Sequence, residues 1–219
     1  MATADDPLIE IRATAPFYKN GFVVACPRTR EALVIDPGDE VADLLAIVSG
    51  QKLAVKYILL THAHIDHITG VTRAKEALGV PIYLHREDLP LYNAAAQQAA
   101  MFGLPIPSMV PVDHFYDVQQ KLAFGDFEVS VHHTPGHCPG GVCLQIGRAG
   151  TRGRALIVGD TLFAGSIGRT DLPGGDPATL LHSIREVLFP LGDDAEVYPG
   201  HGAATTIGEE RRTNPFLKR

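Results

Sequence analysis

The stretch Val55-Lys56-Tyr57-Ile58-Leu59-Leu60-Thr61-His62-Ala63-His64-Ile65-Asp66-His67 runs from a short apolar segment straight into three imidazoles and a carboxylate. Val55–Leu60 has the length and composition of a buried strand, so the ligand-type residues leave a strand end. His62 and His64 are separated by one residue and fall on the same side of an extended backbone. Asp66-His67 then begins a turn that presents a second set. Three further segments repeat the plan. Thr134-Pro135-Gly136-His137 follows the predicted strand Phe127–His133, Gly159-Asp160 follows Ala155–Val158, and Pro199-Gly200-His201 follows Glu196–Tyr198. Loops leaving one edge of a sandwich converge on a point held by rigid elements. Pro-Gly before His137 and His201 permits the sharp turns that aim those rings inward.

Outward from these segments the chain reads as two similar halves. In the first, Leu8–Ala13, Gly21–Ala25 and Ala32–Ile35 are strand-like runs broken by Asn20-Gly21 and Pro37-Gly38 turn signals. Glu40–Val48 has helical spacing at Val41, Leu44, Leu45 and Val48 and stops at Gly50. Gly70–Leu78 is a second helix, Pro81–His85 a strand, and Leu91–Met101 a helical or irregular stretch. The Pro-rich Leu104–Val112 marks a seam, near 102–112. In the second half Gln120–Phe124 and Phe127–His133 form a hairpin around Gly125-Asp126. Gly141–Ile146 and Ala155–Val158 are strands, and Pro177–Leu188 is a helix capped by Asp176. This order predicts a single α/β domain over 1–219: a four-layer αββα sandwich, two sheets face to face with helices outside.

Seven N/O ligands, His62, His64, Asp66, His67, His137, Asp160 and His201, exceed one four-ligand zinc-like shell and fit two shells that share a carboxylate. Two ions sharing a hydroxide made available near neutral pH are a hydrolytic device: the hydroxide attacks a carbonyl that one ion polarises. Composition agrees with a small-molecule enzyme. Of 219 residues 45% are apolar and 20% charged, and the net charge of −6 disfavours a nucleic-acid or anionic-membrane partner. No apolar run reaches membrane-spanning length. The start is acidic without an apolar h-region, and the three cysteines form no CxxC, which predicts a cytoplasmic protein without a disulfide framework.

With these motifs in order, the sequence resembles the metallo-β-lactamase fold superfamily and, within it, the glyoxalase II (hydroxyacylglutathione hydrolase) group, from about Phe22 to beyond His201. The resemblance implies that His62, His64 and His137 hold one metal. It implies that Asp66, His67 and His201 hold the other and that Asp160 bridges both, with Asp66 and Asp160 as the catalytic carboxylates. It implies two divalent ions, zinc first and iron or manganese next, and hydrolysis of a small thioester, S-D-lactoylglutathione giving D-lactate and glutathione. Two features depart from the longer members. Only 18 residues follow His201, so their C-terminal helical glutathione-binding domain is not expected. Ser166–Asp176 replaces their Lys-Phe-Tyr-Glu-Gly-like stretch and, with Glu209–Phe216, resembles a short bacterial branch.

Arg169 stands where the longer enzymes have a lysine that meets the thiol carrier; it either binds a substrate carboxylate or pairs with Asp171 or Asp176. Cys138 follows a proposed ligand and is a candidate for the pocket wall. One of His132 and His133 faces inward; His85, His114 and His182 have no ligand-like context, and Arg211-Arg212 reads as a solvated helix end. The main rival reading is a persulfide dioxygenase with one iron on His62, His137 and Asp160, a resemblance that Gly168-Arg169-Thr170-Asp171 also carries. A lactonase-type metallohydrolase is the third reading.

Overall fold

The structure, a computed structural model, describes residues 6–105, 109–116 and 121–218. The first sheet has the order β1 (Leu8–Thr14), β2 (Lys19–Ala25), β3 (Glu31–Ile35), β4 (Ala54–Leu59), β5 (Ile82–Leu84), β6 (His114–Phe115). The second sheet holds β7 (Leu122–Phe124), β8 (Phe127–His133), β9 (Val142–Arg148) and β10 (Ala155–Gly159) in adjacent places. After the small hairpin β11 (Leu162–Phe163) and β12 (Ser166–Ile167) it continues with β13 (Glu196–Pro199) and β14 (Thr205–Thr206), beside β10. Gln120, read as the first residue of the hairpin strand, lies outside the described residues, as do 106–108 of the expected seam.

Strand alternation explains the layers. Phe22 and Val24 of β2, and Leu33 and Ile35 of β3, meet Phe127, Val129, Leu144, Ile146 and Ile157 of the second sheet. The intervening Val23, Ala25, Ala32 and Val34 face outward onto helices. The second sheet repeats this: Ala155 and Ile157 point into the middle layer, Leu156 and Val158 toward the outer helices. Three apolar clusters therefore separate four layers, the αββα sandwich. Each fully buried Leu, Ile or Phe contributes about 1.5–3 kcal/mol.

The outer layer on the first sheet is α1 (Val41–Gly50), α2 (Ile65–Ile68), α3 (Val71–Leu78), α4 (Leu89–Asn93) and α5 (Ala95–Met101). Leu91–Met101 is thus not one stretch but parts of two helices that change direction at Ala94. On the second sheet, α6 (Pro177–His182) is capped by Asp176, whose carboxylate accepts from Thr179 N at 2.6 Å, with Pro177 in the first turn. The predicted helix spans Pro177–Leu188, with α winding to His182 and wider, π-helical winding over Ser183–Leu188. Arg211 and Arg212 are exposed in the last turn of their helix, the solvated end read from the sequence, while the other face of that helix is anchored. In α7 (Ile207–Thr213) Glu210 and neighbouring Asn214 are buried, and they bind Gly165 N and Ser166 O, tying down the loop after Asp160.

Candidate metal centre

Parallel pairing brings the ligand loops together. Because β3 and β4 run parallel with Ile35 opposite Leu59, the chain leaving β3 at Asp36 lies beside Thr61 and the hexad. Because β10 and β13 run parallel with Gly159 opposite Pro199, Asp160 lies beside Gly200-His201, and Gly200 N donates to Gly159 O at 2.8 Å. Val142 N donates to Thr61 O at 2.9 Å, joining the sheets at the site. Helix α2 starts after His64 and turns the chain, so that Asp66 and His67 approach from another side.

All seven expected ligand residues meet. The donor atoms of His62, His64 and His137 lie within 4.8 Å of one another, as do those of Asp66, His67 and His201, and those of His62, His67 and Asp160. His64 Nδ1 is 2.7 Å from His137 Nε2, and His201 Nε2 is 3.0 Å from Asp66 Oδ2. Asp160 stands between the groups. Its Oδ2 is 3.7 Å from His137 Nε2 and 3.6 Å from His201 Nε2, and its Oδ1 is 3.3 Å from His67 Nε2. His62 Nε2, His67 Nε2 and Asp160 Oδ1 are buried without a hydrogen-bond partner. Such orphaned atoms are costly unless something else binds them, and three pointing at common ground fit divalent cations.

The opposite ring nitrogens are fixed from behind, which sets the tautomer and aims the free lone pair. Thr61 Oγ1 is 3.1 Å from His62 Nδ1, Asp36 Oδ2 is 2.9 Å from His67 Nδ1, and the Arg169 carbonyl is 2.8 Å from His137 Nδ1. Asp36 also accepts from Thr61 N and Oγ1, and buried Lys19 bonds its carbonyl while pairing with Glu40 at 2.7 Å. Asp88, fully buried, accepts from Ala63 N at 2.9 Å and Gly140 N at 2.6 Å, so one carboxylate clamps both histidine loops. Sequence reading missed Asp36 and Asp88. The first lies in an Asp-Pro-Gly turn signal and the second in no motif.

Electrostatics divides the histidines. Burial drives His62 well below the usual imidazole range and, with neighbouring His137, His64 down to about 3, so both are neutral and able to ligate. At His67 burial opposes protonation, but Asp66, Asp160 and Asp36 outweigh it and lift the ring to about 10. Asp66 and Asp160 are held low against their own burial, chiefly by His67, and stay ionised.

The two substrate-side candidates separate. Arg169 lines the cleft over the clusters, with its guanidinium on both Asp171 oxygens at 2.7 and 2.8 Å. Cys138 is not at that wall: it is buried, its thiol pushed up by burial and by Asp88, to which it donates at 3.3 Å. His85 has more context than its sequence suggested, stacking on His133 beside Glu87. Gly200 serves closeness rather than turn freedom, since a Cβ there would sit 2.2 Å from Asp160 Oδ1 and 2.7 Å from His67 Cε1.

A profile of the metallo-beta-lactamase superfamily matches residues 14–201, and the chain belongs to that superfamily. It is 39% identical over 211 residues to the hydroxyacylglutathione hydrolase GloC of Haemophilus influenzae, covering 95% of this chain and 97% of the relative. Among crystal structures it resembles BLEG-1 B3 metallo-beta-lactamase, with a TM-score of 0.84 and 37% identity, covering 97% of this chain and 100% of that one. It also resembles TTHA1623 in a di-iron-bound form, with a TM-score of 0.82 and 42% identity, covering 95% and 100%. No helix among the described residues is long and apolar enough to cross a membrane.

Proposed function

We propose that the protein is a dinuclear metal-dependent hydrolase of small thioesters, with S-D-lactoylglutathione as the reference substrate. The observation that carries this reading is the Asp160 carboxylate, set between the His62/His64/His137 and Asp66/His67/His201 groups with one oxygen unpartnered. His62, His64 and His137 would hold one divalent ion, Asp66, His67 and His201 the second, and Asp160 would touch both. Bound there, the ions supply an acidified water and Lewis-acid polarisation of the acyl oxygen. Zinc suits this nitrogen-rich, thiolate-free set, and iron and manganese suit it as well.

The protein's own groups do the rest. Asp66 and Asp160, ionised at neutral pH, would accept hydrogen bonds from a water held there and orient it toward the cleft. Asp36, Thr61 and the Arg169 carbonyl hold three rings in place. The neutral state of His62 and His64 keeps their lone pairs free. The GloC relative's name supports a hydroxyacyl thioester of glutathione as substrate. The test is hydrolysis of S-D-lactoylglutathione by the metal-loaded protein, with metal counted on the same sample. About two ions per chain and thiol release are expected. One iron per chain, with oxygen uptake on glutathione persulfide and no thioester cleavage, would replace this reading with the dioxygenase one.

A further inference from the structure

The cleft over the two metal-ligand groups holds about 470 Å³, and its walls differ sharply from its floor. The floor is imidazole and carboxylate; the walls are Phe17, Ile65, Leu91, Met101, Phe102 and Leu172. Among the described residues the exposed large apolar side chains are Tyr18, Met101, Phe102 and Phe216. Two of these four, Met101 at 73% and Phe102 at 53% exposure, stand at this cleft. Phe17 meets Phe102 edge to face with ring centroids 5.3 Å apart, so the wall is packed rather than a scatter of loose side chains. A contiguous apolar surface rimming a polar floor is a ligand-contact surface.

Charge points the same way. Arg169 is the sole Lys or Arg lining the cleft among the described residues, and its Nε and one of its two terminal nitrogens are on Asp171. The amide of Gln98 is committed to Ile65 N, Ala63 O and Leu91 O. A glutathione conjugate carries carboxylates and an ammonium, which need cations or convergent donors wherever they are desolvated. Beyond the exposed Gln97 amide and the remaining terminal nitrogen of Arg169, the wall side chains offer none among the described residues.

We infer that the part of the substrate lying along the walls, beyond the scissile carbonyl, is uncharged and apolar: the S-substituent is an alkyl or aryl group. This rests on the thioester-hydrolase reading and sharpens it. A glutathione thioester is turned over with its peptide projecting past the walls into water, whereas an apolar S-substituent gains burial against Phe17, Met101 and Phe102.

The experiment is a kcat/KM series on the metal-loaded protein. The thioesters share the D-lactoyl group and differ in the thiol: glutathione, N-acetylcysteamine, butanethiol, hexanethiol and benzyl mercaptan. The expected ranking rises about two- to fourfold per buried methylene, with the benzyl and hexyl thioesters above the glutathione one by about tenfold or more. Met101→Arg and Phe102→Arg, both at exposed positions, should lower the benzyl and hexyl values about fivefold or more relative to the glutathione value measured on the same variant. A glutathione thioester that heads the series, with the two variants leaving the ranking unchanged, overturns the inference alone. No cleavage of any thioester overturns the hydrolase reading itself and the inference with it.

Discussion

Replacing Asp88 with Asn tests the clamp that holds the two histidine loops in register. The carboxylate accepts from Ala63 N, between His62 and His64, on one oxygen and from Gly140 N, three residues past His137, on the other. An amide of the same shape has one acceptor end, so its NH₂ must face a buried backbone N–H whichever way it is turned. One charge-assisted hydrogen bond is lost, about 1.5–3 kcal/mol, and a buried donor is left unpaired, an overlapping cost of about 1–3 kcal/mol. Together these give about 2–4 kcal/mol. For a domain of this size that is a fall in Tm of about 5–15 °C. Loop displacement adds a catalytic cost, because a misplacement of about 1 Å costs on the order of a hundredfold in rate. Calorimetry of wild type and Asp88→Asn, both metal-loaded at pH 7, reads the first quantity, and thioester turnover reads the second. A Tm within about 1 °C of wild type together with full turnover would refute the clamp.

Three further outcomes follow from the site. Asp36→Asn disturbs the partner of His67 Nδ1 and should weaken metal binding or activity by about 10–100-fold, read by competition with a chelator; unchanged affinity would show that His67 needs no such support. Gly200→Ala drives a methyl onto Asp160 and His67 and should lower turnover about a hundredfold or more with metal loss measured alongside; wild-type activity would mean the loop yields freely. In the chelated protein, the stabilising protonation of His67 is complete below the unfolded value near 6.5 and is lost as pH rises toward about 10. His64, kept neutral with its folded value near 3, makes the fold lose stability as pH falls below about 6.5. Tm of the chelated protein should therefore peak near pH 6–7, and a flat profile from pH 7 to 9 would contradict the His67 assignment.

The meeting of the seven histidine and aspartate residues was legible in sequence because each loop follows an apolar run with the length of a buried strand, and the residue types at its end are chemically distinctive. What surrounds the ligands was not. Asp36 becomes a partner of His67 only through the parallel pairing of β3 with β4, and Pro37-Gly38 behind it reads as an ordinary turn. Asp88 and Gln98 act on backbone groups far away in sequence, and a backbone N–H carries no sequence signature. The Arg169 carbonyl that orients His137 is invisible for the same reason; the side chain drew notice while the main chain does the positioning. Gly200 was noticed for its turn and is required for its lack of a Cβ. The widening of the Pro177–Leu188 helix after His182 has no Pro or Gly to announce it.

The joint between the first hairpin and the last ligand loop has a consequence in time. Asn20 N donates to Gly200 O, and its side chain donates to Pro199 O and Gly202 O. Lys19 bridges to His201. During synthesis the hexad leaves the ribosome well before His201, by roughly ten to thirty seconds at ordinary elongation rates. Through that interval the nascent chain can offer an ion only His62, His64, Asp66 and His67, then His137 and Asp160 in turn. The second ligand group is incomplete until the last loop arrives to be gripped by Asn20. Filling of the second group would thereby be tied to completion of the chain, whereas the first group has all its histidines once His137 has emerged.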